Sequence, residues 1–296
     1  MASPVDTTVT RILNQFRYKD PVLPLSGAIN NSQTDPAVSD YLPNIGVGSI
    51  IQVNDEYMLV TAVTGTGPMT LTVIRGWLGS TAASAASGDP VYVNPRVLGT
   101  EVLDYINECL DFLYPELVYP DSLVLSYDGA IIGYDLAAAV GRILRVDAEV
   151  DTTAKYWEEV KDYKFFPQAN SAEFASGKAI MIHKAMKQGA IIRVLYGTPF
   201  TNVVAGEDLE TDGGLQPYMV QLPYYYAMGK IMATQEVGRS DSVGAASHQR
   251  AQDVPAMSAL RTGDWYNARY RELMDKAKAR QAFEVQRGYT LGPYGN

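Results

Sequence analysis

The hydrophobic periodicity of the chain alternates between the helical and the strand repeat, and this alternation constrains the fold more than any other feature. Near the start, four apolar residues recur at helical spacing: Val9, Ile12, Leu13 and Phe16. From residue 25 the repeat changes to two, in short segments such as MTLTVIRG that are separated by turns. Helical spacing returns at residue 96, strand spacing at 119 and helical spacing again from Pro223. The predicted order is helix, β unit, helix, β unit and two helices.

This order predicts an α+β fold, namely a helical bundle of about four helices with two inserted small antiparallel β units. The predicted parts are an N-terminal helix of the bundle (1–24), a small β insertion (25–95), a bundle helix (96–118), a β-sandwich or barrel-like domain (119–205), the C-terminal helices of the bundle (206–287) and an extended C-terminal tail (288–296). Because 47% of the 296 residues are hydrophobic and 19% are charged, the chain can bury substantial cores.

The aromatic composition favours an oligomer. The chain has 20 tyrosines and only 7 phenylalanines. Tyrosine suits surfaces that are partly buried and partly wet, which is the environment of a protein interface.

The charge is unevenly distributed along the chain. The formal net charge is −9, but the segment 261–287 carries seven cations and four acids and has a net charge of +3, which leaves −12 for the remainder. Two interpretations are open: a solvated charged helix, or a basic end that docks onto an acidic protein partner.

The residues that could carry chemistry do not form a known pattern. Cys109 is the only cysteine, and its position on an apolar helix stripe predicts a small core residue. The two histidines, His183 and His248, lack the spaced partners that a zinc site needs. No nucleophile, phosphate-binding or dinucleotide motif is present. The sequence therefore predicts no catalytic residue, no cofactor, no metal and no enzymatic activity.

Two acidic groups are predicted to be solvated or to belong to a loop. The first lies on the polar side of the helix after residue 96 and comprises Asp104, Glu108 and Asp111. The second resembles the front of an EF-hand loop at Asp208, Glu210 and Asp212, but Met219 occupies the position of the bidentate glutamate. The absence of a long apolar run at the start or elsewhere predicts a chain made in a cytoplasm, with no membrane span.

Three stretches carry a resemblance to a known family. Residues 48–93 resemble a β module of tailed-bacteriophage virion proteins, with Asp55-Glu56, Arg75-Gly76, Gly79 and Ala82-Ala83 as the matching residues. VLDYINECLDFLYPEL (102–117) is similar to an early helix of phage neck proteins. LPYYYAMGKIMATQEVGRSD (222–241), with the final basic helix, is similar to the closing helices of head-to-tail adaptors, also called connectors.

The resemblance implies a structural virion protein: a homo-oligomeric ring, commonly a dodecamer, in the neck at the head-tail interface of the virion. Such a ring joins the portal protein to tail or neck proteins, touches the capsid, and continues the channel through which DNA passes without sequence-specific binding. An acidic bore would repel DNA phosphates and let the genome slide. The implied localisation is the virion, after synthesis in the host bacterial cytoplasm.

The resemblance also implies two sets of contact residues. The portal-interface residues are expected at Arg269, Arg271, Arg280, Arg287, Tyr289, Leu291 and Tyr294. The subunit or capsid-interface residues are expected at Arg75, Trp77, Tyr224 and Tyr225. For Arg75, which ends a predicted strand, the chemistry of the guanidinium predicts hydrogen bonds to neighbouring backbone or carboxylates.

Two alternatives to the adaptor function remain. One is another neck or tail component, such as a stopper or a baseplate protein. The other is a carbohydrate-binding β protein or hydrolase whose tyrosines stack on sugars, although no pair of carboxylates with separate acid and base roles stands out.

Overall fold

The computed structural model describes residues 4–17, 20–40, 42–43, 45–151, 156–243 and 258–286. Several sequence predictions fall outside these residues: the tail 288–296, His248 and the portal-contact residues Arg287, Tyr289, Leu291 and Tyr294.

The first β part is a six-stranded antiparallel sheet that almost closes into a barrel. Its strands are β1 (Val22–Pro24), β2 (Ala37–Val38), β3 (Ile50–Val53), β4 (Glu56–Thr64), β5 (Met69–Ile74) and β6 (Pro90–Val93). The spatial order is β1-β6-β3-β4-β5-β2, and a bridge between Leu25 and Val38 brings the two edges together. Strand β5 shows why this segment forms a barrel wall: Met69, Leu71 and Val73 face the interior, and the residues between them do not.

The second β part consists of two antiparallel sheets that share one core. The four-stranded sheet has the order β10-β9-β13-β7 and the three-stranded sheet has the order β11-β12-β8. The strands are β7 (Tyr119–Ser126), β8 (Gly133–Asp135), β9 (Arg142–Asp151), β10 (Tyr156–Glu159), β11 (Tyr163–Phe166), β12 (Ala179–Ile182) and β13 (Ile191–Thr198). Val146 and Val194 of the larger sheet and Ile180 of the smaller one are fully buried in that core.

Four helices and the loop segments beside them enclose the third core. The helices are α1 (Val5–Arg17), α2 (Gly99–Leu113), α3 (Gln221–Val243) and α4 (Ser258–Gln286). The apolar stripes predicted for α1 and α2 are buried here, and Val102, Ile106 and Cys109 are fully inaccessible. Helix α4 packs along α3, and its last turns reach the second β part, where Gln281 Nε2 donates to Val118 O at 2.7 Å.

The predicted fold class, a helical bundle with two small inserted β units, is wrong. Over the residues that the structure describes, the chain is a mostly β protein with three antiparallel sheets, one of them a nearly closed barrel, and four α-helices. Local periodicity located the helices, but it did not show how strands pair. Strand β1 pairs with β6, about seventy residues later, and β1 and β2 are too short to show an alternating pattern.

The attachment of the second β part to the helices depends on a close approach between β13 and the segment that joins α2 to β7. A Cβ atom added to Gly197 would lie 2.2 Å from Cγ2 of the buried Val118. We expect Gly197→Ala to lower the free energy of unfolding by roughly 1–3 kcal/mol, because neither the strand nor the packed valine can move freely. Chemical denaturation measures this.

The matched control for this prediction is Gly27→Ala, since a Cβ at Gly27 meets no atom within 4 Å. It should change stability by less than about 0.5 kcal/mol. Equal effects of the two substitutions would contradict the packing described here.

Candidate interaction surfaces

Two of the residues that carry the resemblance in the barrel, Glu56 and Arg75, form a buried ion pair. Glu56 begins β4, and Arg75 follows the end of β5, so the antiparallel pairing of these strands brings the two side chains together. Arg75 Nε lies 2.6 Å from Glu56 Oε1, and Arg75 Nη2 lies 2.7 Å from Glu56 Oε2. This two-pronged geometry is the strongest form of an arginine–carboxylate contact.

The remaining donors of Arg75 bind the backbone of two loops. Nη1 donates to the carbonyls of Asn30 at 2.7 Å and Gln33 at 2.6 Å, and Nη2 also donates to the carbonyl of Ala83 at 2.6 Å. The predicted hydrogen bonding of Arg75 to backbone and carboxylate is therefore confirmed. The Arg75 side chain is only 8% exposed, and its polar atoms are hydrogen-bonded within the barrel. Its predicted contact with another subunit or the capsid stays a prediction.

Glu56 is ionised because of its partners. Burial alone would raise the pKa of Glu56, but hydrogen bonds from Arg75 and from the backbone N–H groups of Ala83 and Gly76 outweigh burial and hold this pKa below its ordinary value. Gly76 has a φ of 62°, and a Cβ there would lie 2.9 Å from Ser80 O, which explains why a glycine follows the arginine.

The small-residue loop after β5 is fixed at its base and exposed at its tip. Ser80 Oγ accepts a hydrogen bond from the backbone N–H of Tyr57 at 2.9 Å, and Ala83 N donates to Glu56 Oε2 at 3.0 Å. Leu78 is 44% exposed, although its φ is 55°, which is unfavourable for a branched side chain. Trp77 beside it is partly buried. Leu78 was missed from the sequence, where Arg75, Trp77 and the neighbouring glycines were singled out.

The tyrosines predicted for a subunit contact lie in an aromatic cluster between α3 and α4. Tyr224 is buried and lies under Arg11, whose guanidinium carbon is 4.1 Å from the ring centroid. Tyr225 is partly exposed and faces Trp265, with ring centroids 6.2 Å apart. Burial raises the pKa of Tyr266 in this cluster to about 12, reinforced by the neighbouring Tyr224. Trp265, which is 58% exposed, extends the cluster to the surface.

A groove of about 430 Å³ runs beside this cluster, between α2, α3 and α4. Its apolar floor consists of Phe112, Tyr226, Tyr270 and Met274, and its charged rim of Glu116, Arg271, Asp275 and Lys278. Phe112 is 59% exposed and packs on Tyr226 with ring centroids 6.0 Å apart. An apolar floor with a charged rim is the usual composition of a protein contact surface.

The predicted basic contact residues of α4 differ in how they are engaged. Arg269 pairs with Glu272, and Arg280 pairs with Glu284 at 3.0 Å and lies over the ring of Tyr218. Arg271 is exposed, and in the described part of the chain it makes no ion pair. Of the three, Arg271 is the one whose charge is available to a partner.

The remaining chemical candidates are placed as follows. Cys109 is buried, and burial raises the pKa of its thiol far above the ordinary value, with the Tyr270 hydroxyl as a hydrogen-bond partner. His183 is exposed at the end of β12. Glu108 pairs with Lys230 at 2.8 Å, while Asp104 and Asp111 are exposed. Within the described ranges, no group of three or more His, Cys, Asp or Glu side chains is placed to hold a metal ion.

Replacing Glu56 by glutamine tests the barrel cluster. Glu56→Gln leaves the charge of Arg75 buried without its partner, so the free energy of unfolding at pH 7 should fall by about 3–5 kcal/mol. Since the folded-state pKa of Glu56 lies below its unfolded value, its stabilisation is complete above the unfolded pKa and is lost as the pH falls through the folded pKa. The difference between wild type and variant should therefore shrink in acid.

Denaturation series from pH 7 downwards measure this difference, and Glu158→Gln, in an exposed pair with Lys184, is the control. A variant deficit that stays constant or grows on acidification would show that the carboxylate charge is not the source of the stabilisation.

No protein-family model matches the chain, and no curated protein matches it either. Among the described helices, none combines the length and the apolar character that a membrane crossing requires. The function is therefore inferred from the chain's own contact surfaces and from the residue patterns given above.

Proposed function

We propose that this protein is a structural virion protein, a ring-forming head-to-tail adaptor that joins the portal to the tail and continues the DNA channel. The observation that carries the proposal is the exposed aromatic groove on the helices, with Phe112 in its floor and Arg271 at its rim. The resemblance of residues 48–93, 102–117 and 222–241 to phage neck proteins supplies the kind of assembly.

The groove supports a protein partner because exposed aromatic rings are costly in water. Phe112 and, in the neighbouring aromatic cluster, Trp265 both lie mostly in solvent, although each adjoins packed aromatic side chains. Contiguous apolar surface with a polar rim marks contact sites, and large aromatics contribute most of the binding free energy at such sites. The proposed occupant is a neighbouring copy or the portal.

The charge distribution supports the same proposal. Arg271 is exposed and takes part in none of the ion pairs among the described residues, whereas most other cations of this helix have acidic neighbours, and the rest of the sequence is acidic. A basic helix on an acidic body orients the molecule toward an acidic partner on one side. An acidic body arranged around a channel repels DNA phosphates and does not capture them.

Phe112→Ser tests the role of the groove in assembly. The side chain is mostly exposed, so the substitution should leave the protomer folded and lower the fraction of rings in negative-stain images, alone or on the portal, by at least tenfold. Ile132→Ser, at an exposed apolar position of the second β part, is the matched control and should leave ring formation unchanged. Wild-type protein that forms no ring under either condition would refute the proposed function.

Arg271→Glu tests the electrostatic contact. It should weaken binding to the portal, and the loss should be larger at 50 mM than at 500 mM salt, because counterions screen an exposed charge pair. Titration of immobilised portal at both salt concentrations measures this. Lys187→Glu makes the same change of charge on an exposed turn of the second β part. If both variants lose affinity equally, net charge and not the helix contact is responsible.

A further inference from the structure

Strand β7 is an open sheet edge that the proposed ring does not use. It is the outermost strand of the order β10-β9-β13-β7 and has eight residues, whereas the other edge strands of the described sheets have two to four. Edge strands normally avoid pairing by being short, by carrying charges or by closing on each other. The two edges of the barrel are protected because they meet through the Leu25–Val38 bridge, and β10 is protected by the two glutamates at its end. The segment 122–126 of β7 has none of these protections.

The pairing of β7 with β13 fixes which backbone groups point outward. Leu125 lies opposite Ile192 in this pair, and two residues further along, Tyr127 N donates to Ala190 O. Tyr127 and Leu125 therefore point their backbone groups to the same side, toward β13. Since hydrogen bonding alternates along an antiparallel strand, residues 125 and 123 bond to β13, and Ser122, Val124 and Ser126 present their backbone groups to the open side. Val124 is 62% exposed, and the two serines beside it are also exposed.

The sequence of this open edge reads the same in both directions. Residues 122–126 are Ser-Leu-Val-Leu-Ser. An antiparallel pair formed by two copies of the strand around a two-fold axis at Val124 would place serine opposite serine, leucine opposite leucine and valine opposite valine. The outward-facing residues of one copy meet the outward-facing residues of the other in this register, so the hydrogen-bond alternation is satisfied as well.

We propose that β7 is a self-association surface on which two copies of this chain pair antiparallel, with Val124 on the two-fold axis. The two four-stranded sheets then form one continuous sheet of eight strands. Val124 N of each copy donates to Val124 O of the other, and Ser126 N of each donates to Ser122 O of the other. Ser122 N keeps its present bond to Asp121 Oδ1, at 2.7 Å.

The electrostatics of this register are favourable. No charged residue lies within the paired segment, and the nearest charged residue, Asp121, falls opposite Tyr127 of the second copy and not opposite another carboxylate. The contact is isologous, and a two-fold contact alone cannot close a ring of more than two copies. The inference therefore does not depend on the proposed ring, and the two can fail separately.

Disulfide trapping tests the register. In a hydrogen-bonded antiparallel pair the two Cα atoms at position 124 are about 5.5 Å apart, which suits a disulfide. Val124→Cys in the full chain should therefore give a covalent dimer of twice 32.3 kDa on a non-reducing gel after mild oxidation. The native Cys109 is buried and does not compete. Neighbouring subunits of a ring with more than two copies do not place residue 124 of one subunit against residue 124 of the next, so the ring itself would not give this cross-link.

Single and double serine substitutions are the register controls. Ser122→Cys alone should not cross-link, since two copies of position 122 lie roughly 14 Å apart along the pair. Ser122→Cys combined with Ser126→Cys should cross-link. A Val124→Cys chain that stays monomeric on the gel, or a single Ser122→Cys chain that cross-links equally well, would overturn the inference.

A proline tests the backbone pairing without cysteine chemistry. Val124→Pro removes an outward N–H and spares the ladder to β13, so the two-fold contact should weaken at least tenfold in sedimentation equilibrium. Val124→Thr keeps both the N–H and the branched shape and should bind as wild type does. Circular dichroism spectra check the fold of both variants. If a folded Val124→Pro chain associates as tightly as wild type, the edge is not the contact.

Discussion

The buried residue Val118 is the point on which the arrangement of the two contact surfaces depends. Its side chain fills the space above Gly197 of β13, its carbonyl accepts the hydrogen bond from Gln281 of α4, and β7 begins at the next residue. Beside it, Lys278 of α4 pairs with Glu116. Helix α4 carries the rim of the groove, so the same few contacts that seat this helix also fix the direction of the β7 edge. Close packing at this junction makes the helices and the four-stranded sheet one mechanical unit.

The ion pair of the barrel and the ion pairs along α4 have different consequences. The Glu56–Arg75 pair is buried, so its charges gain no hydration and hold the loops around them in one arrangement. The pairs along α4, such as Arg269 with Glu272, are solvated and contribute little to folding. A solvated pair can exchange its partner for one on another protein at small cost. The barrel pair therefore helps to fix the shape of the chain, whereas the pairs along α4 can be broken with little effect on folding.

Sequence reasoning succeeded where the information is local. The apolar stripe of α2 is buried, and helices α3 and α4 both lie within the segment 206–287 where C-terminal helices were expected. It failed where tertiary contacts decide. The fold class was wrong because strand pairing between distant segments leaves no local signal. Arg75 was predicted to bind a carboxylate, and the register of the β4–β5 pair identifies that carboxylate as Glu56.

The two proposed contact surfaces impose different symmetries, and this difference assigns them to different states of the protein. A ring between portal and tail is polar, because its two faces bind different partners. A two-fold contact at β7 would join two such bodies in opposite directions and is incompatible with that polarity. If the ring and the β7 contact both form, pairing through β7 belongs to the protein before ring assembly, when it covers an edge that would otherwise recruit any extended strand. Under the same two proposals, ring assembly requires the β7 pair to separate, and the edge of β7 is then open to strand addition by another protein.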